Sequence, residues 1–472
     1  MRDKFDFQQH CREGARKVLV DCLGLKKGNA VALFFDEDTR HPAAVLKKVA
    51  VDLGLQVFSL KSKKAEQAAF SSAKGLKNKE ESALTAARGI LTCLSNHTEG
   101  TAYRMELIKR GTDIGTRLGH MPGINLDVLA KAVNIDYSLA AAMCDDLALA
   151  FTLGRKVLLQ SYLFDKDGKQ VHEYNLTFDL GGLDRSPISS TGIIPLGTWG
   201  NLPGGETFIA PIEDTANGDF VLNGAFKNYV FKPSEALILK FEDGRLTRVS
   251  GAQKARRIFE QKILRYAKAR RDKNFSALAE LGVGVNPGIP ELTGNALFDE
   301  KCYGTAHIAI GDSARYGGKY ESCIHEDFIS RSPSLWIDDK PILLKGRFAF
   351  EASAWRESLM SSAGKCLLDK TLQNEDFVIQ RTTIEGHRGE SGMLRVRREV
   401  CAGRLCEYTI GEVTTSNLLA NLYGLVPYLE NSIRFRELTG EAKAQLGLEP
   451  GMIRDSLFIL MNHGLVDIKQ LQ

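Results

Sequence analysis

The sequence lacks any long apolar run. Although 43% of its 472 residues are hydrophobic, no stretch approaches the roughly eighteen uncharged apolar positions that a transmembrane helix requires. The first residues, MRDKFDFQQHCREG, also lack the apolar centre of a secretory signal peptide. We therefore expect a cytoplasmic protein that does not bind membranes.

Paired cysteines and an excess of one charge are missing as well. The nine cysteines are an odd number and form no CxxC pair, which argues against a disulfide framework or a zinc ribbon. The net charge is only +4 with mixed signs, so nucleic acid binding is not indicated. The basic segment 254–273 places its apolar residues on one helical face, and we interpret it as an amphipathic surface helix.

The amino-terminal part alternates strand and helix patterns. A chain of this length is expected to fold as two or three domains. Within residues 1–120, strands are predicted at 30–36, 56–61 and 89–95, with helical patterns between and after them. This alternation predicts an N-terminal α/β domain with a parallel sheet. Neither GxGxxG nor a P-loop is present, so a nucleotide site is not indicated.

The remaining chain divides into two further predicted domains. GHMPGIN at 119–125 breaks the pattern, and 121–340 is rich in Gly, Pro and Asn, as in binding loops held on strands. We predict a mixed α/β metal-binding catalytic domain there. The segment 341–472 ends in a helix, a glycine-containing turn and a strand, the outline of a winged helix. We predict a small C-terminal α+β accessory domain.

Two histidines and one aspartate form a candidate metal site. His325 and Asp327 are two residues apart, so an extended strand turns both to one side while Glu326 faces away. His307 lies in an apolar run, where a strand would place it on the same face as the small Ala309. Each feature taken alone also fits an ordinary core residue.

Two upstream glutamates strengthen this interpretation. Glu206 lies in NLPGGETF and Glu280 in AELGVGVNPG, although a turn carboxylate and a surface helix residue are alternative explanations. Burial of an unpaired carboxylate is unfavourable, and a divalent cation is one compensation. Together with the histidines and the aspartate, the glutamates make a suitable ligand set for two zinc, cobalt or manganese ions.

The motifs NLPGGETF, AELGVGVNPGI, TGNALFDEK, GTAHIAIGD and IHEDF occur in this order. Their order resembles the aminopeptidase T family of dinuclear metallopeptidases over roughly residues 120–335. The resemblance implies five metal ligands: Glu206, Glu280, His307, His325 and Asp327. It also implies a homodimer that hydrolyses a peptide or amide with a water activated by two metals.

The chain departs from the family at one position. The family has a tyrosine seven residues after the first histidine, where this chain has Ala314, and Tyr316 or Tyr320 could replace it. Glu280, Glu326 and Tyr316 are our candidates for catalytic proton transfer. Further candidates for the pocket or for binding the substrate amine are Arg185, Trp199, Asp299, Glu300 and Asp312.

Two other functions remain open. His307, His325 and Asp327 alone would suit a single iron(II) ion, as in a ring-cleaving dioxygenase group with a related fold; both glutamates favour two metals instead. A different class is a peptide-maturation protein whose C-terminal domain binds a precursor peptide by strand addition. A lid or a dimerisation domain is the alternative role for that domain.

Overall fold

The structure is a computed structural model of the chain. It describes residues 6–349 apart from 72–74, 183–184, 233 and 290, and also 377–381, 425, 433–448, 452–453, 456–457 and 466–470. Across these residues, no helix combines the length and the apolar character needed to cross a membrane.

The amino-terminal part contains the predicted alternation of strands and helices. Its elements are α1 (Phe7–Lys17), β1 (Ala30–Phe35), α2 (Arg40–Asp52), β2 (Gln56–Lys61), α3 (Lys64–Ala68), α4 (Asn78–Ala86), β3 (Gly89–Cys93), α5 (Thr101–Asp113), β4 (Arg117–His120), α6 (Leu126–Ala130) and α7 (Tyr137–Leu153). The strands predicted at 30–36, 56–61 and 89–95 are confirmed as β1, β2 and β3. They pair in parallel, and β3 is buried throughout, as expected for a strand covered on both faces.

A strand from the next part of the chain completes this sheet. The following elements are β5 (Lys156–Phe164), β6 (Gln170–Asp179), β7 (Ile188–Ser190), β8 (Trp199–Asn201), β9 (Glu206–Ile209), β10 (Asn217–Leu222), β11 (Ala225–Phe226), β12 (Tyr229–Val230), β13 (Leu237–Glu242) and β14 (Arg245–Gly251). The strand order of the first sheet is β2-β1-β3-β4-β8. The domain boundary near residue 120 stays a prediction, and β8 crosses it.

The region predicted to bind metal consists of two further sheets that share one core. The elements that complete them are α8 (Gln253–Phe259), α9 (Arg265–Ala269), β15 (Leu278–Gly284), α10 (Ala296–Asp299), β16 (Ala306–Gly311), β17 (His325–Ser330), β18 (Ser334–Ile337), β19 (Lys340–Leu344) and β20 (Arg347–Phe348). One sheet has the order β14-β13-β10-β6-β5-β18-β19-β20 and the other β12-β11-β17-β16-β15-β9-β7. Apolar side chains of both sheets and of α7 form one cluster.

The basic segment is a helix, as predicted. A π-helical stretch, Glu260–Leu264, joins α8 to α9. The buried positions are Ala255, Phe259, Ile263 and Ala267, four residues apart, so they form one narrow apolar stripe against the core.

The described carboxy-terminal elements form a small α+β unit. They are β21 (Phe377–Arg381), β22 (Ile433–Arg434), α11 (Phe435–Leu446) and β23 (Val466–Gln470), with antiparallel order β22-β21-β23. β23 confirms the strand predicted near the end of the chain. Ile453 and Leu457 are helical and buried, whereas the rest of the predicted winged helix lies outside the described residues.

Candidate metal centre

Four neighbouring strands bring the predicted ligands to one face of a sheet. Glu280 on β15 lies opposite Ala309 on β16, which lies opposite Asp327 on β17. In the next row, Gly282 lies opposite His307. Because paired residues project to the same side and alternate residues share a face, these acidic and imidazole side chains converge, and small residues form the floor between them.

Gly282 makes the position of His307 possible. A Cβ atom at residue 282 would lie 2.1 Å from Nε2 of His307 and 2.2 Å from its Cε1. The imidazole therefore lies directly over the glycine backbone, in space that any other residue would fill. This explains a glycine in the middle of a fully buried strand, where glycine is otherwise unfavourable.

The donor atoms of the cluster lie within hydrogen-bonding distance of one another. Nε2 of His307 is 3.1 Å from Oε1 of Glu280, and Nε2 of His325 is 3.1 Å from Oε2 of the same carboxylate. Nε2 of His325 is also 3.4 Å from Oδ1 of Asp327. Glu280 thus contacts both imidazoles, and the two predicted histidines belong to one site.

These spacings suit a metal ion. Two donors at right angles, each about 2.1 Å from one cation, are about 3.0 Å apart, close to the observed distances. Glu280, His325 and Asp327 each offer a ligand atom, and these atoms lie within 4.8 Å of one another. Nδ1 of His325 is 2.8 Å from the carbonyl oxygen of Asp312, the outer contact usual for a metal-binding histidine. The donor set therefore fits a metal.

The second nitrogen of His307 has no such contact. Its Nδ1 is buried and has no hydrogen-bond partner among the described residues. The ring is consequently anchored through Nε2, the same atom that Glu280 contacts. A cation at this position would satisfy Nε2 and both carboxylates together.

Hydrogen bonds and charges within the cluster shift the pKa values of its imidazole and carboxyl groups. Burial lowers the pKa of His307, but the hydrogen bond to Glu280 and nearby carboxylates outweigh burial and raise the pKa to about 9. Burial raises the pKa of Asp327, but His325 outweighs it and the pKa falls to about 2. Because a metal binds neutral imidazole and ionised carboxylate, metal binding at these atoms would be coupled to the release of protons.

Glu206, a predicted ligand, has a different partner. Its Oε1 accepts a hydrogen bond from Nζ of Lys301 at 2.6 Å, and both side chains are buried. Lys301 also pairs with Glu300. Burial and the nearby Glu206 carboxylate raise the pKa of Glu300 to about 8. A fixed cation therefore already compensates the carboxylate that the sequence assigned to a second metal.

The three catalytic candidates are separated by the strand geometry. Glu280 lies within the cluster, as described. Glu326 projects to the opposite face of β17 and pairs with Nζ of Lys227 at 2.5 Å, so the structure does not bring it to the site. Tyr316 packs edge-on against His325, with ring centroids 5.0 Å apart, whereas the hydroxyl of Tyr320 donates to Asp214 instead.

The other candidates mostly have structural contacts. Arg185 pairs with Glu213, Asp299 accepts hydrogen bonds from the turn at Thr293, and Trp199 is 45% exposed on β8. The sequence analysis did not identify two residues beside the site. They are Lys301, which contacts Glu206, and Phe208 on β9, whose ring contacts Tyr316. Lys301 stood in the quoted motif TGNALFDEK, but nothing in its spacing indicated a buried ammonium group.

The family model and the curated relative that match this chain are both dioxygenases. The family model described as NicX, 2,5-dihydroxypyridine 5,6-dioxygenase, matches residues 175–350. A curated 2,5-dihydroxypyridine 5,6-dioxygenase from Pseudomonas putida is 29% identical over 164 residues, 32% of this chain. The match spans 44% of that relative's length. Both findings support an enzyme.

Two solved structures share the fold. A 2,5-dihydroxypyridine dioxygenase from Pseudomonas putida KT2440 is similar with a TM-score of 0.53 at 18% identity, over 74% of this chain and 100% of that one. AmpT from Thermus thermophilus has a TM-score of 0.50 at 16% identity, over 73% and 100%. These likenesses confirm the mixed α/β fold and its resemblance to aminopeptidase T.

The expected peptide or amide hydrolase is wrong. The matching family model and the curated relative are both dioxygenases, which contradicts the functions of hydrolase, protease and aminopeptidase. The expected pair of metal ions is likewise unsupported: among the described residues, Glu280, His325 and Asp327 have ligand atoms close enough to share one ion, and Glu206 contacts Lys301.

Proposed function

We propose that this chain is an iron(II)-dependent dioxygenase that opens a hydroxylated pyridine-type ring. The observation that carries the proposal is the convergence of His307, His325 and Asp327 on one sheet face, within the segment that matches the dioxygenase family model. Two imidazoles and one carboxylate are the ligand set typical of non-haem iron(II) oxygenases.

The residues would divide the work as follows. His307, His325 and Asp327 would hold the metal, and Glu280, which contacts both imidazoles, would supply a further oxygen to the same position. All of these donors come from the sheet, so the side away from the floor is left for the reactants. Bound iron(II) would supply the electron exchange that lets dioxygen react with an aromatic ring.

The surrounding residues would control charge and protons. Lys301 would keep Glu206 and Glu300 compensated, because its ammonium group contacts both carboxylates. Burial raises the pKa of Tyr316 to about 12, so its phenol keeps its proton at neutral pH. In a balanced reaction, both oxygen atoms of dioxygen enter the ring-opened product and no other reductant is consumed.

The test is oxygen incorporation. Protein loaded with iron(II) without air is mixed with 2,5-dihydroxypyridine and ¹⁸O₂. We expect one dioxygen consumed per ring and both labelled atoms in the product. Asp327→Asn should lower turnover at least about a hundredfold, since loss of a ligand removes metal. Asp339→Asn makes the same change at an exposed turn with positive φ and should have no effect. Absence of ring-dependent oxygen uptake would refute the proposal.

A further inference from the structure

Two aromatic rings lie beside the metal-binding face. Phe208 on β9 pairs with Gly282 of β15, which pairs with His307, so its ring projects from the same face as the cluster. Tyr316 lies in a short 3₁₀ turn, Ala314–Tyr316, between β16 and β17. The ring centroids of Phe208 and Tyr316 are 5.2 Å apart, with an interplanar angle of 90°. The ring of Tyr316 also packs edge-on against the imidazole of His325.

The arrangement leaves aromatic surface available. Both Phe208 and Tyr316 are half-buried, although Thr207 and Ile209, the neighbours of Phe208 on β9, are buried. Ala309, which lies between Glu280 and Asp327 on this face, offers no bulky side chain. Partly exposed aromatic rings beside a group of polar donor atoms match a binding site for a flat ring rather than a closed core.

A buried ion pair holds the loop that carries Tyr316. Nη2 of Arg185 is 2.5 Å from Oε2 of Glu213, and these side chains are 8% and 10% exposed. Nη1 of Arg185 donates to the carbonyl oxygen of Gly317 at 2.7 Å, and the amide of Lys319 donates to Oε1 of Glu213 at 2.6 Å. These contacts fix the backbone immediately after Tyr316, so Tyr316 is preorganised rather than mobile.

We propose that Phe208 and Tyr316, whose rings pack against each other, together form the aromatic side of a slot that binds the planar ring of the substrate beside the metal ligands, with the Arg185 and Glu213 pair positioning Tyr316. The proposal rests on the proposed function, which it deepens by assigning the residues that recognise the ring. The chemical class is a hydroxylated aromatic nitrogen heterocycle. A puckered, saturated ring lacks the flat face and the π system that edge-to-face contacts require.

The test measures binding without turnover. Calorimetric titrations without oxygen compare 2,5-dihydroxypyridine with its saturated counterpart, 5-hydroxypiperidin-2-one, on the metal-free and the iron(II)-loaded full chain. We expect wild type to prefer the aromatic probe. Phe208→Leu and Tyr316→Leu should each raise its Kd roughly three- to tenfold, with little change for the saturated probe. Phe208→Tyr and Tyr316→Phe keep the rings and should retain the preference.

Controls separate the slot from folding and from catalysis. Tyr303→Leu removes a ring from another edge-to-face pair, with Phe348, and should leave both Kd values unchanged. Arg185→Lys should weaken binding of the aromatic probe, because one amine cannot make both guanidinium contacts. Equal Kd values in wild type and both leucine variants, or no binding of the aromatic probe by wild type, would overturn the slot.

The two proposals fail in different ways. If wild type binds the aromatic probe through Phe208 and Tyr316 but consumes no oxygen, the dioxygenase proposal fails and the slot stands. If wild type opens the ring while both leucine variants keep its affinity and KM, the slot fails and the dioxygenase stands.

Discussion

The sequence was enough to predict that His325 and Asp327 lie on the same face of a strand, because residues two positions apart on a strand project to the same side. The proximity of His307 to Glu280 was implied by the resemblance of the ordered motifs to the aminopeptidase T family. The partner of Glu206 could not be predicted, because Lys301 reaches it across 95 positions of sequence. A contact between the first residue of β9 and the turn after α10 leaves no local pattern.

Gly282→Ala tests the packing of His307. The added methyl group would overlap Nε2, so we expect His307 to be displaced and iron content to fall to less than about half of wild type. The double variant Gly282→Ala/His307→Ala has room for the methyl group. Its melting temperature should therefore equal that of His307→Ala, because the two changes act through one contact. Additive losses of stability would show that the glycine serves another purpose.

His120 gives a pH-dependent stability. It is 6% exposed, and burial, followed by the charge of Arg104, lowers its pKa from 6.5 to about 3. The unfolded chain therefore takes up a proton that the folded chain excludes. Stability is present above pH 6.5 and declines as pH falls toward 3, by about 2 kcal/mol at pH 5.

Urea unfolding at pH 7.5 and pH 5 checks this expectation. His120→Gln should reduce the difference between the two midpoints. The same change at the exposed His172 should leave the wild-type difference intact. An unchanged difference in His120→Gln would assign the acid sensitivity to other groups.

At the level of single elements, alternation along β17 decides which carboxylate belongs to the site. The strands β1, β2 and β3 of the first sheet, and β17, were predictable from apolar runs and alternation, whereas β4 and β8 of the same sheet were not predicted. The conformation of the loop between β16 and β17 was not predictable. Its 3₁₀ turn brings Tyr316 against His325, whereas the position seven residues after His307, where the aminopeptidase T family has a tyrosine, is Ala314. Turn geometry of this kind depends on tertiary contacts such as those of Arg185.

The opposite orientation of Glu326 is testable. Its carboxylate pairs with Lys227 on the other face of the sheet. Glu326→Gln should therefore leave iron content and turnover within about twofold of wild type, whereas Asp327→Asn, one residue away, should lose both. Metal analysis and oxygen uptake on matched samples measure the contrast. Loss of iron in Glu326→Gln would mean that β17 is out of register.

At the scale of the whole molecule, the α/β class was predictable from the alternation of strand and helix patterns, whereas the separate carboxy-terminal domain stays a prediction. The choice between two metals and one could not be predicted, because the same five side chains suit both and the contact of Lys301 with Glu206 is not visible in the sequence. All of the site residues lie between Glu206 and Asp327. The homodimer and the binding of a precursor peptide stay predictions.

Truncation tests whether the carboxy-terminal part is needed for the site. The dioxygenase structure is covered in full by 74% of this chain, and β20 closes its sheet at Phe348. A protein ending at Ala349 should therefore fold, bind iron and open the ring at a rate within about threefold of the full chain. Loss of iron with an intact circular dichroism spectrum would show that the later residues contribute to the site.

The most direct measurement is the number of metal ions per chain. Wild type and Glu206→Gln are loaded with excess iron(II) without oxygen, desalted and analysed for metal and protein. One iron per chain in both proteins is expected, because Lys301 already compensates Glu206. Two metals in wild type and one in Glu206→Gln would contradict the account.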